Sequence, residues 1–196
     1  MSEARPAPQR IIRFVDGVPQ IATDDWHVVE HDARWGEIRR EIDEEHIIDE
    51  FSPGGAPHSH PLLLPLDRAL AHAERLPELG RIGVWLGPTD EPERAVALFP
   101  RIQAIGVHFP KFTDGRGYST AALLRSRYGW RGELRAFGDI LQDQLFALRR
   151  VGFDTFVLRA DRDPETALRG FTVFSGSYQG AVDQPLPRFR RTEVPA

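Results

Sequence analysis

The chain has 196 residues, the size of one domain, with 41 % hydrophobic and 28 % charged residues, an ordinary balance for a water-facing globular protein. It contains no cysteine, which excludes disulfides, catalytic thiols, Cys-ligated iron–sulfur clusters and Cys-type zinc sites. The formal charge of −4 is unevenly spread: residues 1–108 carry 11 basic and 19 acidic side chains, residues 109–162 carry 10 and 6, and residues 163–196 carry four of each.

The basic middle suits a small anionic ligand, and the acidic first half suits a basic partner or plain solvation. No signal-peptide core and no apolar run of about 20 residues is present, so a cytoplasmic protein without a membrane contact is expected. Basic–aromatic interleaving and nucleic-acid motifs are missing, so no nucleic-acid partner is expected.

Residues 1–9 read as a flexible lead. Residues 10–31 alternate loosely around Asp16-Gly17, a hairpin turn signal, and Trp26, Val28 and Val29 continue the strand pattern. Residues 32–50 read as an acidic amphipathic helix, with Trp35, Ile38 and Ile42 on one face. The Pro/Gly/His/Ser stretch at 52–61 is a loop and a boundary; its His58 and His60 have no nearby carboxylate, so no metal site is expected.

From residue 61 the chain repeats. Apolar runs at 62–66, 82–86, 102–109, 134–137 and 153–158 read as strands. Helical patterns follow them at 66–76, 90–99, 119–128, 140–151 and 164–171. About five strand–helix units imply an α/β fold with a parallel sheet, as a partial β/α barrel or a flavodoxin-like open sheet. The expected division is an N-terminal β element and acidic helix at 1–60, the parallel domain at 61–182 and a flexible tail at 183–196.

In both architectures ligands bind at the carboxyl ends of the strands, which makes the residues after each strand the candidates. Asp90 with Glu93, Asp139 with Gln142, and Asp163 before Pro164 fit helix-capping patterns. The most informative stretch is 109–120, FPKFTDGRGYST, which holds Lys111, the only lysine beside 24 arginines. Pro110 ends the strand, Gly115 and Gly117 permit positive φ or close approach, and a helix beginning near Ser119 would offer free N–H groups. Lys111, Arg116, Gly117, Ser119 and Thr120 together fit a cradle for a phosphate, sulfate or carboxylate. The competing reading is a turn in which Asp114 binds Arg116. Lys111 and Asp139 on neighbouring strand ends form a candidate proton-transfer pair, with His108 as a further candidate catalyst and Asp114 and Gln144 as orienting groups. No GxSxG, P-loop or GxGxxG motif is present, so no cofactor is expected.

The blocks FPKFTDGRGYST, LLRSRYGWRGELRAFGD and DQLFALRRVGFDTFVL resemble the bacterial domain-of-unknown-function family 934. The likeness covers residues 82–179, is closest over 109–156, and includes Ser177-Tyr178-Gln179. Members carry a label tying them to sulfite reduction. The resemblance therefore implies a role in assimilatory sulfur metabolism, beside sulfite reductase or the reductase of activated sulfate. It supplies no catalytic residues. The expected function is an accessory protein of sulfite or sulfate reduction that binds an oxyanion at the strand ends. The alternatives are a lyase or isomerase using the Lys111/Asp139 pair, and an interaction module docking through the acidic helix.

Overall fold

Five apolar runs alternate between a face that packs on helices and a face that does not, and this alternation builds the sheet. The computed structural model describes residues 9–29 and 60–191. β1 (Arg10–Val15) and β2 (Val18–Thr23) form an antiparallel hairpin whose turn residues, Asp16 and Gly17, both have positive φ, the type I′ geometry. The remaining strands are β3 (His27–Val28), β4 (Leu62–Pro65), β5 (Ile82–Leu86), β6 (Ala104–Phe109), β7 (Glu133–Gly138) and β8 (Thr155–Phe156). All are parallel from β3 to β8, and β1 joins β8 antiparallel.

The sheet order is β2-β1-β8-β7-β6-β5-β4-β3. Crossover strands are therefore neighbours in chain order, with no reversal of the kind an open doubly wound sheet requires. The sheet has eight strands, not five, because the N-terminal β element adds both edges. β1 and β2 extend it beyond β8, and β3 extends it beyond β4.

That placement dictates curvature. Seven interstrand steps would part the edge strands by about 34 Å if the sheet were flat. Only residues 24–26 link the end of β2 to the start of β3, a reach of about 14 Å. The sheet accordingly curls into a half-barrel, and the link crosses its inner face. There Trp26 packs with Leu63 of β4 and Ala104 of β6, and Asp24 pairs with Arg135 of β7 at 2.5 Å.

The outer face carries the main core. Ile82, Val84 and Leu86, then Ile105, Val107 and Phe109, then Leu134 and Ala136 alternate outward. They pack against α1 (Leu66–Ala71), a 3-10 segment (Pro92–Arg101), α2 (Arg116–Ser126) and α3 (Leu145–Arg150). α4 (Pro164–Ala167) follows β8 and is capped by Asp163, which accepts from the Glu165 and Thr166 N–H groups. Apart from α2, the crossover helices are shorter than the sequence pattern predicts. Pro92 and Pro100 lie within the second crossover, which runs as a 3-10 helix, and a proline lacks the N–H an α-helical interior needs.

The acidic helix expected over 32–50 and His58 lie outside the described residues. Within the segment 183–196, expected as a flexible tail, the Arg188 N–H donates to Tyr178 O at 2.8 Å and residues 188–190 form a 3-10 turn.

Candidate functional site at the carboxyl edge of the sheet

The strand ends β6, β7 and β8 bring three loops together, and the contacts between them start from one glycine. Gly138 closes β7 with φ +105, and a Cβ on it would lie 2.4 Å from Phe109 O. This backbone approach lets the Asp139 N–H donate to Phe109 O at 2.8 Å. The Asp139 carboxylate then accepts the Phe112 N–H at 2.8 Å and pairs with Arg159, after β8, at 3.0 Å. Arg159 in turn grips Asp161 through Nε at 2.6 Å and Nη2 at 3.0 Å. These bonds hold the Arg159 guanidinium firmly charged and the Asp161 carboxyl below its ordinary range.

Gln144 completes a clamp on the loop after β6. Its side chain is buried; Nε2 donates to Phe112 O at 3.3 Å and Oε1 accepts the Leu141 N–H at 2.9 Å. Phe112 is thus held by its N–H and its carbonyl. Lys111, one residue earlier, is also fixed at the backbone, because its carbonyl accepts the Asp114 N–H at 2.9 Å. Its side chain is exposed and makes no ion pair among the described residues.

Asp114 and Arg116 pair with each other. The Asp114 carboxylate accepts from Arg116 N, Nε and Nη2 at 3.1, 3.0 and 2.6 Å. The Arg116 side chain hydrogen bonds hold the Asp114 carboxyl down to about 2. The charge of Arg116 is therefore committed to the turn. α2 starts at Arg116, three residues before the expected Ser119, so the N–H groups of Ser119 and Thr120 lie inside the helix and not at its free end. Gly115 has φ −83, and Gly117 serves packing, since the Phe109 ring approaches the place of its Cβ to 2.4 Å.

His108 lies on the inner face at the end of β6. Its ring stacks on Phe137 at 5.1 Å and meets the edge of Trp85 at 5.9 Å. Burial among these rings pushes its pKa below the ordinary imidazole value. Its ring neighbours are aromatic, and no carboxylate among the described residues hydrogen-bonds to it.

The structure thus joins Asp139 and Gln144 to the loop bearing Lys111, and joins Asp114 to Arg116. It does not assemble Lys111 and Asp139 as a proton-transfer pair, because Asp139 is engaged by Phe112 N–H and Arg159. The capping patterns also differ in partner: Asp90 closes back on the Gly87 N–H at 2.7 Å, and Gln144 closes on Leu141 where Gln142 was expected to close on Asp139. Arg159 was missed as a site residue. A charged triplet at a strand end, Arg159-Ala160-Asp161, was its only signal.

A family profile described as "Bacterial protein of unknown function (DUF934)" matches residues 83–189, more than half of the chain. The chain belongs to the DUF934 family. A search of curated proteins gives no match. The matched stretch runs from β5 through the three clamped loops to the 3-10 turn at Arg188–Arg190, so the strand-end site lies wholly within the DUF934 unit.

Proposed function

We propose that the chain is an accessory binding protein of sulfite or sulfate assimilation that holds an oxyanion at the carboxyl edge of its sheet. The observation that carries this reading is Lys111. At this edge Arg116 and Arg159 are both engaged by aspartates, while the single lysine of the chain stands exposed, with no ion pair among the described residues, on a loop clamped at Phe112. A fixed backbone under a free ammonium keeps the cation available at little ordering cost. The sulfur link comes from the family resemblance, and it agrees in chemistry because sulfite and sulfate esters are anions. In this reading the protein works in the cytoplasm beside sulfite reductase or the reductase of activated sulfate. Among the described residues no helix is long and apolar enough to cross a membrane.

Calorimetric titration with sulfite and with sulfate, in buffer of fixed salt, tests the site. Lys111→Ala is expected to weaken binding about tenfold or more, the value of one charge-assisted hydrogen bond. Its unfolding free energy should stay within about 0.5 kcal/mol of the parent, because the residue is exposed and unpaired. Equal affinity for both proteins, or normal growth of a Lys111→Ala strain on sulfate as sole sulfur source, would remove the assignment.

A further inference from the structure

Exposed large apolar side chains are concentrated in one short segment. Val173, Phe174, Tyr178, Leu186 and Phe189 are between 57 % and 68 % exposed, more than half of such residues among those described. The segment is held in place. Phe174 packs its ring on Phe146 of α3 at 5.0 Å, Tyr178 and Phe189 lie 5.9 Å apart, and Arg191 Nε donates to Leu186 O at 2.8 Å. Fixed apolar side chains facing water mark an interaction surface more often than a loose end does.

Its charge is as distinctive. All four arginines of the segment, Arg169, Arg188, Arg190 and Arg191, make no ion pair among the described residues, whereas twelve arginines elsewhere do and Arg127, Arg131 and Arg149 do not. Residues 168–191 contain no lysine and no glutamate, and their single aspartate, Asp183, lies 3.8 Å from Arg150. One unpartnered guanidinium nitrogen, Nη2 of Arg191, is buried. Aromatic residues with arginine, depleted of lysine and acids, have the composition of the centre of a protein interface.

We propose that the face formed by residues 173–191 docks an acidic, partly apolar segment of another protein, whose carboxylates meet the unpaired arginines. A protein is favoured over single-stranded nucleic acid because the exposed rings are engaged with other rings, Phe174 with Phe146 and Tyr178 with Phe189, and the segment also exposes aliphatic Val173 and Leu186, on which bases cannot stack. The proposal uses no group of the oxyanion site, so it does not rest on the oxyanion reading.

Fluorescence anisotropy with three labelled probes tests it: a peptide of alternating Asp/Glu and Leu/Ile residues, the same peptide with lysine at every acidic position, and an oligo-dT strand. Only the acidic peptide is expected to bind. The doubly substituted Arg188→Glu, Arg190→Glu chain should lose at least about tenfold in affinity. Tyr178→Ala with Phe189→Ala should lose a similar factor, and Lys111→Ala should lose none. Because the Arg190 guanidinium lies over the Phe189 ring, urea unfolding of the charge-reversed chain is measured beside binding, and loss of affinity at an unchanged unfolding midpoint is not an unfolding effect. Preferential binding of oligo-dT, equal binding of both peptides, or undiminished binding by the charge-reversed chain would each overturn the proposal, as would self-association of the parent chain that the acidic peptide fails to displace.

Discussion

His108 and Asp114 sit six positions apart, and both titrate below their ordinary values for different reasons. His108 is held between Trp85 and Phe137, where desolvation disfavours the imidazolium. In the unfolded chain it titrates near 6.5. As pH falls below that value the unfolded state takes up a proton that the folded state resists. Stability therefore drops from about pH 6.5 towards the folded pKa and levels off beneath it. An NMR titration should place the His108 midpoint below 6.5, and His108→Gln should flatten that part of the stability profile. A midpoint at or above 6.5 would mean that the ring is not desolvated. For Asp114 the cause is Arg116, so its carboxyl should titrate at about 2 and return towards the ordinary carboxylate range in Arg116→Ala. The sequence already offered this Asp–Arg turn as the competitor to an anion cradle, because an aspartate two residues before an arginine is a local pattern. It hid the commitment of Asp139, whose partner Arg159 is 20 residues away on another strand end.

The elements were legible to different degrees. All five crossover strands fall inside or within one residue of the apolar runs, since buried strands need continuous Val, Ile, Leu and Phe on both faces. The helices other than α2 were overextended, because apolar spacing continues through segments that run as 3-10 turns. Two joints between elements are open to test. Gly138→Ala should destabilise by more than about 1 kcal/mol in chemical denaturation, since its φ of +105 and its approach to Phe109 O both exclude a side chain. Because Asp139 follows directly, the same variant should loosen the Lys111 loop. Arg125 of α2 is a staple at the other end of the sheet: it donates to the carbonyls of Gly152, Trp130 and Gly132 and pairs with Asp154 at 2.7 Å. Burial raises the Asp154 pKa and lowers that of Arg125. Arg125→Ala strips the partly buried Asp154 carboxylate of its cation, leaving it only the Leu134 N–H and the Thr155 hydroxyl, and should cost about 3 kcal/mol. A loss below about 1 kcal/mol would show that water reaches the pair.

At the scale of the whole molecule the sheet order was not legible, because apolar periodicity records which face is buried and not which strand lies beside which. The inner face depends on contacts between distant residues: Arg135, 1 % exposed, reaches Asp24 across 111 positions and also pairs with Glu133 at 2.7 Å. Asp24→Ala leaves a buried guanidinium with half its charge compensation and is expected to cost about 3 kcal/mol. Urea unfolding would check this, and a change within experimental error would show that the link at residues 24–26 does not hold the curl.

The three-residue link also imposes an order in time. The β1–β2 hairpin leaves the ribosome early, yet its neighbour in the sheet, β8, contains residues 155 and 156 and is made last among the strands. Until then β1 has an open edge, and Asp24 has no Arg135 to meet. Joining strands so far apart in sequence is slow. The seam between the oldest and youngest strands should therefore close as the final step of folding, and a chain stalled before residue 155 would expose two unpaired edges, those of β1 and β7, to any neighbour.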